Sequence, residues 1–324
     1  MKRLILLLIN AIGSCMLPSC TYYFELDEIA EVPKLTVFCY PGSGDTTVIR
    51  LSGSTPVCGD YPPSNEMTHT EAHLWINGKP VNLTQAARTL PGVPANSFYT
   101  LHPCREGDRI ELTASASGLQ PVSASTTVPK AFPLKSTRLI RKDSGTMQYQ
   151  VTFSDDGSTD NYYAVMVERK QRIWRNDVYS EQDEATYLQS NEEPLFRQSG
   201  LDEIFIGNQS FYQNLYYWGD EKIQGKDYTL HLSFDSYQDS DDIYDYGDTQ
   251  EHVVCKYQYR LVLYTLSKEF YLFLKTINDQ ENNDLADIEL APKRPTYTNV
   301  NNGLGIVGGC TLYRTEWTDN LKNE

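Results

Sequence analysis

The 324-residue chain has no apolar run approaching the roughly 18–20 residues that a membrane-spanning helix needs. It has no G-x-S-x-G, no S-x-x-K and no H-E-x-x-H, so the common serine-hydrolase, penicillin-binding and zinc-protease arrangements are missing. No cysteine spacing is of the zinc-binding kind, and no cofactor motif stands in a fitting context. Positive charge is scarce, with 28 Lys and Arg against 43 Asp and Glu, a net charge of −15. Such a surface repels phosphate backbones, which excludes nucleic acid as an expected partner. Long helical periodicities are nearly absent. Tyrosine is plentiful at 23 residues and β-branched side chains are common, the composition of a mainly β protein.

The N-terminus has the order of an export signal. Lys2 and Arg3 are positive, Leu4 to Ile9 are apolar, and Leu17-Pro18-Ser19-Cys20 resembles the lipobox of bacterial lipoproteins. Ile12-Gly13-Ser14-Cys15 is a rival lipobox. The expected products are a signal peptide over 1–19 and a lipid on Cys20, each buried methylene adding about 0.8 kcal/mol of membrane affinity. Residues 20–32 then form a lipidated acidic tether carrying Glu25, Asp27, Glu28 and Glu31.

Residues 33–129 read as about seven short strands with no helix between them, an immunoglobulin-like β-sandwich. Asn77-Gly78 fits the two left-handed positions of a type I′ hairpin turn. Pro129 and Pro133 bracket a stiff link to a larger β-sandwich domain over 134–317, followed by a tail at 318–324. In that second domain, Phe270, Phe273, Leu274 and Ile277 predict one helix over 267–280, capped by Ser267. A final strand is expected from Leu304 to Trp317, and the acidic stretch 235–248 reads as an exposed loop.

Beyond Cys15 and Cys20 there are five cysteines. Cys39 alternates with Leu35 and Val37 and reads as a core thiol. Export permits disulfides, and the expected pairs are Cys58 with Cys104 and Cys255 with Cys310. Four other groups could carry chemistry. Gly303, Gly305 and Gly308 satisfy G-x-G-x-x-G, but an Asn-rich loop precedes them and a strand follows, so tight strand packing is favoured over phosphate binding. His69, Glu71 and His73 share one face of a strand and read as solvated. Asp239, Asp241, Asp242 and Asp245 are weak calcium candidates without the EF-hand glycine and glutamate. Tyr216, Tyr217 and Trp218 could stack on a ligand or partner, although core packing competes. A hydrolytic carboxylate pair drawn from distant strands would leave no sequence signature.

The stretch TLSKEFYLFLKTI (265–277), Pro292 to Pro295, and Asn302-Gly303-Leu304-Gly305-Ile306-Val307-Gly308 resemble the C-terminal signature of the domain-of-unknown-function 4249 lipoproteins of Bacteroidetes. Glu25-Leu26-Asp27, Pro33-Lys34-Leu35-Thr36-Val37, Asp202-Glu203-Ile204-Phe205-Ile206-Gly207 and the threonine-rich strand into Pro129 agree with it. The resemblance implies an outer-membrane, cell-surface lipoprotein and no catalytic residues. It also implies an accessory or ligand-binding role beside a TonB-dependent, SusC/SusD-like transporter of peptide or glycan nutrients. A structural or adhesive surface protein is the alternative, and a hydrolase with an unrecognised site the third reading.

Overall fold

Side chains alternate between the two faces of a strand, so Leu35, Val37 and Cys39 all turn the same way, and all three are fully buried. They lie on β1 (Leu35–Cys39), in a computed structural model that describes residues 32–42, 44–55, 67, 69–176, 178–196, 211–247, 250–281 and 295–321. Cys15, Cys20, Cys58 and the 202–207 segment lie outside the described residues. Strands β2 (Thr47–Gly53), β3 (Glu71–Ile76), β4 (Lys79–Val81), β5 (Thr84–Gln85), β6 (Phe98–Thr100), β7 (Arg109–Ser115) and β8 (Val122–Thr127) follow. Asn77 and Gly78 join β3 to β4 with φ of 51° and 74°, as the hairpin turn requires. One sheet runs β4-β3-β7-β8, and the facing one contains β1-β2-β6-β5. Leu74, Ile110, Leu112 and Val122 meet Leu35, Val37 and Ile49 between them, a β-sandwich core.

The second half contains β9 (Leu134–Arg141), β10 (Thr146–Ser154), β11 (Tyr162–Arg175), β12 (Val178–Thr186), β13 (Tyr216–Gly219), β14 (Asp227–Asp235), β15 (Ser240–Asp245) and β16 (Gln250–Leu266). A helix, α1 (Lys268–Glu281), precedes β17 (Leu304–Val307), β18 (Cys310–Arg314) and β19 (Thr318–Asp319). A three-stranded sheet, β14-β10-β9, shares a core with a seven-stranded one built on β11 and β16. Phe132, in the proline-flanked link, inserts its ring against Phe153 and Tyr163 at 5.1 and 5.3 Å, so the link is part of this core.

The final strand expected from Leu304 to Trp317 is divided between the two halves. β17 leaves the second half and pairs in parallel with β1, Val37 opposite Gly305 and Cys39 opposite Val307. β18 returns to pair with the end of β16. The pleat gives β17 two duties, because Val307 enters the first core while Ile306 enters the second. Glycines make the crossing possible. Gly305 has φ of 89°, and a Cβ there would overlap the Val37 carbonyl, while one on Gly309 would overlap the Thr127 carbonyl. The three-glycine motif therefore serves close backbone packing, as its sequence context indicates.

Helix α1 forms where its periodicity places it. Ser267 Oγ accepts the Phe270 amide at 3.3 Å as an N-cap, and Phe270, Phe273 and Leu274 are buried. Phe273 packs on Phe38, on the outer face of β1, at 6.2 Å, and Phe270 on Tyr40, the residue just past β1, at 4.9 Å. The β1–β17 pair is thus covered on both sides.

Candidate functional site

A cleft of about 570 Å³ opens where the two halves meet, within the usual range for a small-ligand site. Four separate stretches line it: the start of β7 (Arg109), the end of β8 and the link (Ser125 to Lys130), the turn into β11 (Thr159 to Tyr162), and the β16–α1 junction (Thr265 to Glu269). Backbone crossings hold these stretches in place. Thr126 Oγ1 accepts the Gly309 amide at 3.0 Å and donates to Glu269 Oε2 at 3.3 Å, tying β8 to the first turn of α1. Thr311 Oγ1 donates to the Lys130 carbonyl at 2.8 Å, and Asn161 Nδ2 donates to the carbonyls of Asp156 and Thr159, both at 2.8 Å.

The lining alternates cations, hydroxyls and carboxylates. Arg109 bridges to Glu111 and Lys130 to Asp156, each at 3.0 Å, while Lys268 stands exposed at the mouth. Hydrogen bonds from Ser158 and Lys130 hold the exposed Asp156 carboxyl down at about 2. Asp220, which does not itself line the cleft, accepts the amide of the lining residue Asn161 at 2.8 Å, and burial pushes its carboxyl above the usual range. Thr265 is buried at the cleft wall, and its Oγ1 has no hydrogen-bond partner among the described residues. A buried hydroxyl left unmatched costs about 1–3 kcal/mol, and this one is closed off from the cleft by its own burial. Cations, carboxylates and hydroxyls side by side suit a polar, uncharged or zwitterionic ligand better than a strong anion or an apolar molecule.

Among the described residues, none of the sequence-derived candidates lines this cleft. Tyr216, Tyr217 and Trp218 are not a contact surface: they form β13 and are 2, 6 and 3% exposed. Tyr216 packs on Phe211 at 4.6 Å, and Trp218 on Tyr163 at 5.7 Å. Burial here outweighs any value of the rings for stacking, since they fill the second core.

The acidic stretch is not a calcium loop. Asp241, Asp242 and Asp245 lie on β15, where the pleat sends Asp242 to the opposite face from Asp241 and Asp245. Those last two are four residues apart, about 13 Å on a strand, too far to share an ion. Asp239 is taken by the Tyr257 amide at 3.0 Å and Asp241 by His252 at 2.5 Å. His69, Glu71 and His73 are all exposed.

The cysteine pairing also needs correction. Cys104, Cys255 and Cys310 are free thiols. On β16, Cys255 lies opposite Ile173, whereas Cys310 faces Leu266, eleven residues or about 36 Å farther along the strand. No disulfide spans that gap. Cys104 instead lies 3.5 Å from the Thr47 hydroxyl. Burial pushes the Cys39 thiol up and that of Cys310 to about 12, so both stay protonated and unreactive.

No curated protein matches the chain significantly. A match to a described family does cover nearly all of it, including every strand of both halves up to β18 and all four stretches around the cleft. Over residues 21–316 the chain belongs to the family described as a domain of unknown function, DUF4249.

Proposed function

We infer that this chain is an outer-membrane lipoprotein of Bacteroidetes, anchored through Cys20 and exposed at the cell surface. There it is an accessory or ligand-binding subunit of a TonB-dependent, SusC/SusD-like nutrient transporter, and not an enzyme. The observation that carries the binding role is the cleft, with its mixed polar lining. The anchoring role is supported by Leu17-Pro18-Ser19-Cys20 and the acidic tether after it. A peptide or glycan segment fits the cleft chemistry, since both present alternating donors and acceptors with little net charge.

Cys20→Ala should move the protein from the membrane pellet to the soluble fraction and abolish labelling by a radioactive fatty acid. A processed mutant that stays in the pellet would shift the anchor to Cys15. Affinity purification from detergent extracts should bring down a TonB-dependent receptor in near-stoichiometric amount. Recovery of the chain alone would overturn the transporter role.

One observation favours a second reading. Asp160 and Glu269 both line the cleft, and a hydrolytic carboxylate pair would draw on them. Turnover of a glycan or peptide panel that disappears in both Asp160→Asn and Glu269→Gln would establish it.

A further inference from the structure

Charged side chains on the cleft wall are Arg109, Lys130, Lys268, Asp160 and Glu269. Three of them are matched: Arg109 by Glu111, Lys130 by Asp156, and Glu269 by the Thr126 hydroxyl. Lys268 and Asp160 are not. Both are exposed, and among the described residues neither makes an ion pair or hydrogen bond, with the other or with any third group. One cavity therefore holds a cation and a carboxylate that do not reach each other.

Lys268 is also badly placed for the helix it begins. It is the first residue of α1, where the unbonded amides carry partial positive charge and a cation is disfavoured. Glu269 follows in the same turn, but its carboxylate takes the Thr126 hydroxyl and leaves Lys268 alone. A carboxylate arriving from the cleft would relieve this crowding of positive charge. The remaining wall is mixed. Pro129 and the ring of Tyr162, stacked on Tyr271 at 4.5 Å, are its apolar part, and the exposed Ser125 and Thr127 add hydroxyls.

These charges separate the classes of ligand. A neutral glycan would cover both without answering either, and taking an unpaired charge out of water is costly. An anion answers Lys268 but meets Asp160, and a cation does the reverse. A molecule with a carboxylate at one end and an ammonium at the other answers both. The cavity of about 570 Å³ has room for more than a single amino acid.

We propose that the cleft binds a short free peptide by its two ends, the α-carboxylate on Lys268 and the α-ammonium on Asp160. This rests on the reading of the cleft as a binding site and narrows it, setting glycans aside.

The test is calorimetry on the full lipidated chain in detergent, with trialanine and alanyl-phenylalanyl-alanine as probes. Each is used free, N-acetylated, C-amidated and doubly capped, beside maltotriose and chitotriose. Either cap should weaken binding about 10-fold and both together about 100-fold, with the oligosaccharides no tighter than the doubly capped peptides. Lys268→Gln should weaken the free peptides about 10-fold and leave the C-amidated ones unchanged. Asp160→Asn should weaken the free peptides equally and leave the N-acetylated ones unchanged. Taking a cation from the first turn should not lower the melting temperature, which separates lost affinity from lost folding. Doubly capped peptides that bind as well as free ones, or cap effects that persist in both variants, would overturn the proposal. Oligosaccharide binding without peptide binding would overturn it while sparing the cleft as a site. Silence from every probe would overturn it and remove the support for ligand binding there, leaving the receptor pull-down to judge the accessory role separately.

Discussion

Gly305→Val should destabilise the whole protein by roughly 4 kcal/mol, lowering its thermal midpoint by on the order of 10 °C or leaving it insoluble. Two costs combine. A β-branched residue held at φ of 89° carries backbone strain of roughly 1–3 kcal/mol, and its Cβ would overlap the Val37 carbonyl across the parallel ladder. Relief requires β17 to move away from β1, which withdraws Val307 from one core and Ile306 from the other. Gly78→Val is the control. Its φ of 74° imposes similar strain, but nothing lies within 4 Å of its Cβ, so its effect should be clearly smaller. Equal melting curves for the two variants would mean that β17 does not occupy this sheet in solution.

That same strand marks how far the sequence could be read. Inward alternation on β1, the Asn77-Gly78 turn and α1 were legible because each depends on neighbours within a few residues. The packing role of the glycines was legible too, since no helix follows them. The partner of β17 was not. Val37 and Gly305 are 268 positions apart, and a four-residue parallel strand carries no signal naming its neighbour. β15 was obscured differently: Ser-Asp-Asp-Ile-Tyr-Asp has low strand propensity, and it pairs because β16 already presents a free edge. Cysteine spacing gave no route to the true environments of Cys104 and Cys310. The cleft left no motif because its walls come from four stretches, joined through contacts such as Thr126 with Glu269, 143 residues apart.

The aromatic richness of the second core leads to the other large effect, a steep loss of stability in alkali. Tyr149, Tyr163 and Tyr216 are no more than 3% exposed, and each donates its hydroxyl hydrogen to an oxygen: the Tyr259 carbonyl at 3.1 Å, Asp155 at 2.7 Å and the Leu188 carbonyl at 3.4 Å. Burial is the main cause that pushes Tyr149 and Tyr216 up to about 12, and burial with the Asp155 carboxylate raises Tyr163 further. In the unfolded chain these phenols ionise near pH 10. Below that pH both states hold the proton and folding stability is intact. Above it the unfolded state releases protons that the folded state keeps, so each tyrosine removes about 1.4 kcal/mol per pH unit until its folded value is reached. Three of them remove roughly 4 kcal/mol per unit, or about 8 kcal/mol by pH 12, against a typical total of 5–15 kcal/mol. Urea unfolding across this range should show at least that slope, since burial raises Tyr264 and Tyr271 to about 12 as well, with cooperative unfolding between about pH 11 and 12 and tyrosinate absorbance rising in the same step. Tyr149→Phe should lessen the slope by one tyrosine's share, about 1.4 kcal/mol per pH unit, because its hydroxyl hydrogen goes to a main-chain carbonyl and no buried carboxylate loses a donor. Stability that stays flat to pH 12, or absorbance that rises well before unfolding, would mean that these hydroxyls reach water in the folded protein.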